Sequence, residues 1–371
     1  MDLEMRMLGK KSWLWVVAAT WSLTACDCGP VEPVWSTTPY DLVIPPFFPP
    51  MDVPADNPLT AEGVKLGRML FWETALSSDR SMSCGSCHLP AHSFSDPAQY
   101  STGVTGAQGT RNAMALINLG WAPSFLWDGR MPTLEDQILD PVQHPDEMNL
   151  PWPQAVQRLQ DDEPGRDYPQ LFFDAFGTDQ ITAALTVKAV AQFVRTMVSS
   201  DSKFDLWRRG ETELSDEEYN GYQIFLREGG DPEVVPGGQF GGDCFHCHGE
   251  AGMQFTDNLM HNNGLDSVFV SDPGFASVTG SPLDSGKFRT PTLRNVALSA
   301  PYMHDGRFLT LEQVIDHYNT GGVPSSTLDP FMKSEMGGLA LAPVQKEALI
   351  AFLHTLTDTV FVNNPKFQDP H

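Results

Sequence analysis

Two Cys-x-x-Cys-His motifs constrain the fold of this 371-residue chain more than any other feature. The first is Cys84-Gly85-Ser86-Cys87-His88, and the second is Cys244-Phe245-His246-Cys247-His248. This spacing allows two thiols to form thioethers with the vinyl groups of one porphyrin while the adjacent histidine binds its iron. A zinc or thioredoxin-like redox site would need further cysteines or a βαβ context, and the sequence offers neither. The motifs therefore predict two covalently attached haems of the c type.

The composition indicates a folded, acidic protein. A chain of 371 residues exceeds one ordinary hydrophobic core, so two domains are expected. Its 47 acidic and 23 basic residues give a formal net charge of -24. Such a surface repels phosphate backbones, so nucleic acid is not an expected partner. The charge suits a basic protein partner, although solubility alone also explains it.

The N-terminus is typical of an export signal. Three basic residues precede an apolar stretch that is shorter than the roughly 20 residues needed to span a bilayer. The stretch ends in Leu-Thr-Ala before Cys26, which has the form of a bacterial lipoprotein cleavage site. We therefore expect residues 1–25 to be a signal peptide and the protein to be periplasmic, attached to a membrane only by a lipid on Cys26. The alternative is an ordinary signal peptide with an incidental cysteine. Cys28 has no assigned role.

The rest of the sequence predicts a mostly α-helical fold with long irregular loops. Residues 26–58 are rich in proline and are expected to form an extended tether. Capping residues before apolar positions at helical spacing predict helices that begin after Thr60, Thr133, Thr178, Ser215 and Thr310, and one with Pro343 in its first turn. The helix after Thr178 is expected to continue to about Val198. Alternating strand patterns are scarce, and 31 glycines and 30 prolines indicate long connections.

The two halves of the chain repeat the same order of motifs. Each Cys-x-x-Cys-His motif is followed by an Arg-Asn pair, at Arg111 and at Arg294. An Asp-Gly-Arg segment and a Thr-Leu-Glu helix start follow in both halves. This order predicts an N-terminal haem domain at residues 59–205 and a C-terminal haem domain at residues 206–371.

Taken together, these motifs resemble the bacterial di-haem cytochrome c peroxidase superfamily, in particular its MauG branch. The resemblance covers roughly residues 57–356. It rests on both haem motifs and on Gly-Thr-Arg-Asn, Trp-Asp-Gly-Arg, Pro-Thr-Leu-Arg-Asn and Ala-Pro-Tyr-Met-His-Asp-Gly. It implies two cytochrome-c-like helical domains, one haem c in each, a calcium ion between them, and a reaction with hydrogen peroxide.

The resemblance makes His88 the proximal ligand of the N-terminal haem. The family's distal histidine position falls on Val104, which cannot bind iron. Unless His92 or another residue substitutes, this haem is expected to be five-coordinate and open to peroxide. Gln137 and Glu147 match the family's distal polar pair. Glu147 is expected to transfer the proton during peroxide cleavage, and Gln137 to orient the bound oxygen; without the resemblance, Glu147 would be a surface acid.

On the C-terminal haem, the resemblance makes His248 proximal and places Tyr318 at the sixth position. Typical family peroxidases have methionine there, whereas MauG and its nearer relatives have tyrosine. A phenolate favours ferric and higher states, while a thioether favours ferrous iron. The substitution therefore favours storage of oxidising equivalents. Without the resemblance Tyr318 would be a core residue, and Met303, Met332 and Met336 keep a methionine ligand open.

Two further roles follow from the same resemblance. Trp127 matches the tryptophan that lies between the two haems and is expected to carry charge between them, with plain packing as the alternative. The calcium ligands are expected to be Asn112 and the backbone carbonyls of Ser299 and Pro301. Serine replaces the family's usual threonine at the first carbonyl position, which leaves a backbone ligand unchanged.

These features support three hypotheses of function. In the first, a MauG-type enzyme reacts with peroxide at the first haem and oxidises a protein substrate. Residues 40–70 also resemble the MbnH subgroup, whose members oxidise tryptophan in a copper-binding partner. In the second, a cytochrome c peroxidase reduces peroxide with electrons from a small cytochrome c. In the third, the chain is a non-catalytic electron-transfer cytochrome with both irons six-coordinate.

Overall fold

The computed structural model describes residues 35–161 and 165–371. The predicted signal peptide, Cys26 and Cys28 lie outside the described residues. The described chain is mostly helical with little strand, which confirms the predicted α-helical class, while the attachment of one haem to each domain stays a prediction. Its α-helices are α1 (Ala61–Phe71), α2 (Leu134–Gln143), α3 (Trp152–Gln160), α4 (Tyr168–Phe176), α5 (Ala183–Arg195), α6 (Lys203–Arg208), α7 (Asp216–Phe225), α8 (Ala276–Thr279), α9 (Leu311–Thr320), α10 (Pro343–Thr355) and α11 (Thr359–Val362). Within these described ranges, no helix has the length and apolar character needed to cross a membrane.

The strands are short. β1 (Met260–His261) and β2 (Phe288–Arg289) pair antiparallel, with Met260 opposite Arg289. Short 3₁₀ turns fill several loops, and two of them, Cys84–Ser86 and Cys244–His246, begin the haem motifs.

Most of the predicted helix starts are confirmed. The side chains of Thr60, Thr133, Ser215 and Thr310 each accept a hydrogen bond from a backbone N–H in the first turn of α1, α2, α7 and α9. Such caps satisfy donors that have no partner within the helix. Pro343 is the first residue of α10, where its missing N–H costs nothing.

The predicted helix start at Thr178 is wrong. The side chain of Thr178 accepts a hydrogen bond from the Gln180 N–H within a turn. The N-cap of α5 is Thr182, which accepts from the Leu185 N–H. Both threonines precede the same apolar run, so the local pattern does not distinguish them. The helix also ends at Arg195, before Val198.

Two hydrophobic cores occupy the described chain. The first is built mainly on α1 to α5, and the second on α6, α7, α9 and α10. The C-terminal end of the chain returns to the first core, where Phe361 packs on Phe94 with ring centroids 5.4 Å apart. The Trp72 indole also donates to the Phe367 carbonyl at 3.3 Å. Residues 359–371 therefore pack with the N-terminal half, while the domain boundaries near residues 205 and 206 stay a prediction.

Each core contains a close helix crossing that requires glycine. In the first, α1 meets α5 where Gly67 faces the Ala189 carbonyl. In the second, α7 meets α10 where Gly221 faces the Ala348 carbonyl. A Cβ atom at either glycine would overlap that carbonyl oxygen. The two halves are therefore built on equivalent pairs of closely packed helices, α1 with α5 and α7 with α10.

Gly221→Ala should lower the thermal stability of the protein. The added Cβ forces α7 away from the backbone of α10, and overpacking of this kind costs about 1–3 kcal/mol or more. That exceeds the roughly 1 kcal/mol that alanine gains over glycine inside a helix. Circular dichroism melting curves would measure the change. Gly109→Ala is the control, because the nearest atom to its added Cβ lies 3.8 Å away. Equal melting temperatures for the two variants would contradict the close contact between α7 and α10 at Gly221.

The loops that lead into α2 and α9 share one backbone conformation. Asn118 and Asn295 both adopt left-handed φ angles, of 54° and 57°. The Asn118 N–H donates to the Met197 carbonyl at 3.1 Å, and the Asn295 N–H donates to the Leu356 carbonyl at 3.0 Å. Both acceptors lie within two residues of the end of the long helix of their own half, α5 or α10. These two asparagines therefore mark equivalent positions in the repeat.

This equivalence corrects the predicted pairing of the two Arg-Asn motifs. Asn295 corresponds to Asn118, so Arg294 corresponds to Ile117 rather than to Arg111. The two arginines also have different surroundings. The Arg294 guanidinium is fully buried against one carboxylate of the second half. Arg111 is partly exposed and bridges two aspartates. The two Arg-Asn dipeptides therefore match in sequence but do not occupy equivalent positions in the repeat.

The described part of the proline-rich segment, residues 36–58, contains no helix and packs on the folded body. The Phe48 ring lies 5.3 Å from the Trp121 ring, and the Arg294 guanidinium lies 5.0 Å from the Phe48 centroid. The Trp121 indole donates to the Pro49 carbonyl at 2.9 Å. This stretch therefore contacts residues of both halves instead of standing free as a spacer.

Candidate functional site

The first Cys-x-x-Cys-His motif forms a tight turn. The His88 N–H donates to the Cys84 carbonyl at 3.0 Å. The His88 Nδ1–H donates to the Phe94 carbonyl at 2.8 Å. A carbonyl can only accept, so this hydrogen bond fixes the proton on Nδ1 and leaves Nε2 free to bind a metal.

The second motif repeats this geometry. The His248 N–H donates to the Cys244 carbonyl at 2.8 Å, and the His248 Nδ1–H donates to the Phe255 carbonyl at 3.2 Å. Burial lowers the pKa of His248 to about 4 and also lowers the pKa of His88. Both imidazoles are therefore neutral at pH 7, which is the form that binds metal.

A large cavity lies beside the second motif. It holds about 1140 Å³ of space free of protein atoms, part of it open to solvent. We call it the second-motif cavity; its lining includes Cys244, Cys247, His248, Trp127, Arg289, Tyr318, Met303 and Met332. The cavity thus brings both thiols of one motif and its imidazole to one space, as a covalently held haem requires.

A smaller central cavity of about 800 Å³ adjoins it, and the buried residue Arg289 lines both. Its Nη1 donates to the Asn258 side chain at 3.0 Å, while its Nε has no hydrogen-bond partner among the described residues. Burial lowers the pKa of Arg289 to about 10. A buried cation without an anion is costly. This site therefore favours an anionic group such as a haem propionate, and the residues present fit haem. The prediction from sequence missed Arg289.

Tyr318 on α9 lines the second-motif cavity together with His248. Its hydroxyl accepts a weak hydrogen bond from the Asn263 amide at 3.4 Å. Burial raises the pKa of Tyr318 to about 12, and the thiols of the second motif add to this rise. Of the alternative ligands, Met303 and Met332 line the same cavity. Met336 is 47% exposed and is not among the lining residues, which makes it the weakest candidate.

The repeat places a proline where the second half has this tyrosine. Thr133 caps α2 and Thr310 caps α9 in the same way, and each helix starts with a buried leucine. Counting along both helices from these caps pairs Pro141 with Tyr318. Proline has no side-chain atom that can bind iron. Helix α2 therefore offers no iron ligand at this position.

Glu147 lies near the first motif. The Val104 N–H donates to the Glu147 carbonyl at 2.9 Å, so the position of the family's distal histidine lies beside the expected proton-transfer residue. The charge of Glu147 contributes to the raised pKa of both thiols, Cys84 and Cys87. The Glu147 residue is exposed at the surface, as the surface-acid alternative expects, yet partial desolvation by the surrounding protein raises the pKa of its carboxyl.

Gln137 and His92 lie on different elements of this half. Gln137 is half-buried on α2, one turn before Pro141. His92 ends the 3₁₀ turn Pro90–His92, on the loop between His88 and the Phe94 carbonyl that holds it. Gln137 thus lies on α2, which ends four residues before Glu147 in the chain, whereas His92 lies on the loop that contains both His88 and Phe94.

Trp127 is placed where the central cavity and the second-motif cavity share lining residues. It lines both the central cavity and the second-motif cavity. Its indole donates to the Asn112 carbonyl at 2.8 Å, and its own carbonyl accepts from the Arg289 N–H at 2.7 Å. The repeat pairs Trp127 with His304, which stacks on Phe288 with centroids 3.6 Å apart. The indole hydrogen bond fixes the orientation of Trp127, and its role as a charge relay stays a prediction.

The three expected calcium ligands share the central cavity. Asn112, Ser299 and Pro301 all line it. The Asn112 amide nitrogen donates to the Ala98 carbonyl at 3.0 Å, which leaves its Oδ1 as the atom available to a cation. Oxygen ligands of this type suit calcium. The structure brings these residues together, and the calcium itself stays a prediction.

Comparisons with known proteins agree with this geometry. A family model described as di-haem cytochrome c peroxidase matches residues 61–213. Methylamine utilization protein MauG of Methylorubrum extorquens is 35% identical over 305 residues, which covers 82% of this chain and 80% of that protein. Cytochrome c551 peroxidase of Nitrosomonas europaea is 30% identical over 326 residues, with 87% and 86% covered. The crystal structure of a MauG-like protein associated with microbial copper homeostasis matches with a TM-score of 0.78 and 34% identity, covering 89% of this chain and 99% of that one.

Proposed function

This chain belongs to the di-haem cytochrome c peroxidase family and is a peroxide-dependent di-haem oxidoreductase, and from that premise we propose that it is a MauG-type enzyme. Hydrogen peroxide reacts on the His88 side, and the oxidising equivalents serve to oxidise a protein substrate. The observation that carries this proposal is the difference between the two halves. Tyr318 lines the His248 cavity, whereas Pro141 has the equivalent helix position in the first half and Val104 stands at the family's distal-histidine position.

The cofactor of each half is a haem c held by its own motif. The residues that hold them are Cys84, Cys87 and His88 in the first half, and Cys244, Cys247, His248 and Tyr318 in the second. When bound, the two haems supply the redox chemistry by which peroxide accepts two electrons. Arg289 offers its uncompensated charge to a propionate. A calcium ion at Asn112, Ser299 and Pro301 is part of the same proposal.

Three side chains of this chain have further roles in the proposed reaction. Glu147 takes the proton from one peroxide oxygen and delivers it to the leaving one, and burial supports this role by bringing its pKa closer to neutral. Gln137 orients the bound oxygen. Trp127, fixed between the two cavities by its indole hydrogen bond, passes charge from one site to the other.

The proposed substrate is a tryptophan side chain of a partner protein. The likeness to a MauG-like protein associated with microbial copper homeostasis supports this choice. The net charge of -24 favours a partner with a basic surface. We propose further that the mature protein is periplasmic and is anchored through a lipid on Cys26.

Spectroscopy of the resting ferric protein tests the proposal. We expect optical and EPR spectra with one high-spin and one low-spin haem, because neither Val104 nor Pro141 can supply a sixth ligand to the first haem. Hydrogen peroxide should then produce a long-lived oxidised protein without prior reduction. Two low-spin haems that ignore peroxide would leave only an electron-transfer cytochrome.

A cytochrome c peroxidase is the second candidate. Met303 and Met332 line the cavity that contains Tyr318, so a thioether lies within the same space. A methionine ligand would raise the potential and favour entry of electrons from a small cytochrome c. Rapid turnover of peroxide with reduced cytochrome c, together with a need for prior reduction, would select this candidate over the first.

A further inference from the structure

Three oxidisable side chains form one contact cluster in the second half. The Trp207 ring lies 5.5 Å from the Tyr222 ring and 6.2 Å from the Tyr219 ring, centroid to centroid. Tyr219 and Tyr222 are 6.4 Å apart. We call these three residues the aromatic cluster. Contacts at such distances allow an electron to pass between the rings.

The inner end of the aromatic cluster reaches the segment that holds His248. The Tyr222 hydroxyl donates to the Glu250 carboxylate at 2.7 Å, and Glu250 follows His248 closely in the chain. A second connection runs through phenylalanine rings. Phe255, whose carbonyl accepts the His248 Nδ1–H, lies 5.3 Å from Phe204.

The Phe204 ring completes that connection, because it lies 5.4 Å from Trp207 and 5.4 Å from Tyr222. The aromatic cluster is therefore connected in two ways to the segment that follows His248. One is the hydrogen bond from Tyr222 to Glu250, and the other is the ring contact through Phe204 and Phe255.

The outer end of the aromatic cluster is at the surface. Tyr219 is 48% exposed, whereas Tyr222 is buried. The exposed acids Glu213, Asp216 and Glu217 lie next to Tyr219 in sequence, at the start of α7. A basic partner would be attracted to such a surface.

We propose, on the basis of the proposed function, that the aromatic cluster conducts oxidising equivalents from the second half to the surface, where Tyr219 oxidises a phenol or indole of a protein partner. Tyr219 gives one electron inward and its phenolic proton to water. The resulting radical takes one electron from the partner's ring and one proton from water. Two such events supply the two electrons that reduce one hydrogen peroxide, and with two protons they yield two water molecules.

The holoprotein treated with hydrogen peroxide, with no partner present, tests this proposal. We expect Tyr219 radicals of two molecules to couple through a carbon–carbon bond, each ring having lost one electron and one proton. Dityrosine fluorescence and a covalent dimer mapped to Tyr219 by mass spectrometry would report it. Tyr219→Phe should abolish both signals, and Trp207→Phe should weaken them and lengthen the lifetime of the oxidised protein severalfold.

Tyr40→Phe, which removes a hydroxyl from the proline-rich segment, is the matched control and should keep both signals. The surface route would be overturned, and the proposed function left standing, by the following result. The haem spectrum responds to peroxide, Tyr219 stays unmodified, and the oxidised state of the Tyr219→Phe variant decays at the same rate as that of the unaltered protein. A protein whose haem spectrum does not respond to peroxide would overturn both.

Discussion

Glu147→Gln is expected to slow the reaction with hydrogen peroxide by about 10²- to 10⁴-fold, the range typical for loss of a general acid–base group. Glutamine preserves the size of the side chain but cannot accept and return the proton. The measurement is the stopped-flow rate of the haem spectral change on mixing with peroxide. Asp146→Asn is the control, because it removes the neighbouring exposed carboxylate. Equal rates for Glu147→Gln and the unaltered protein would contradict the assigned role.

The pH dependence of the same rate gives an independent check. Burial raises the pKa of Glu147 above its usual 4.5. The carboxylate that accepts the proton is therefore lost as the pH falls through that raised value. We expect the rate to decline on the acid side at a pH above 4.5, and we expect this decline to be absent from Glu147→Gln.

Tyr318→Phe is expected to raise the reduction potential of the second haem by on the order of 0.1 V or more, since axial ligands shift haem potentials over roughly 0.8 V. Loss of a phenolate removes the hard anion that favours the ferric state. Spectroelectrochemical titration would measure the potential, and the peroxide-oxidised protein should also decay faster. Tyr318→Met should shift the potential in the same direction.

A second tyrosine in the same cavity supplies the control for this change. Tyr302 also lines the second-motif cavity, and its hydroxyl donates to the Val296 carbonyl at 3.0 Å. Tyr302→Phe removes an equivalent hydroxyl and should leave the potential nearly unchanged. If Tyr302→Phe produced the large shift and Tyr318→Phe did not, the assignment of the ligand would move to Tyr302.

Features that depend on a few adjacent residues could be predicted from the sequence. The haem motifs place thiols and imidazole within five positions, and capping residues such as Thr133 and Thr310 act within one turn of helix. The prediction failed where two local signals compete, as at Thr178 and Thr182. Only the packing of the following helix decides between them.

Features that depend on the backbone in three dimensions could not be predicted. The matching Arg-Asn dipeptides suggested one register for the repeat, whereas the left-handed turns at Asn118 and Asn295 establish another. That register agrees with the Thr-Leu-Glu starts at Thr133 and Thr310, and it pairs Pro141 with Tyr318. Arg289 gave no signal in the sequence, because an arginine in a short strand is ordinary until its burial without a carboxylate is seen.

The hydrogen bonds of the two motif histidines have a consequence for any chemical difference between the haems. Phe94 and Phe255 supply the same kind of backbone acceptor from fully buried positions, at 2.8 Å from His88 Nδ1 and 3.2 Å from His248 Nδ1. A large chemical difference between the two bound haems would then come mainly from the other groups around each site, Tyr318 in the second half among them. Exchanging those groups should interchange the behaviour of the two centres, whereas weakening the hydrogen bond to one histidine should alter only the haem that this histidine would hold.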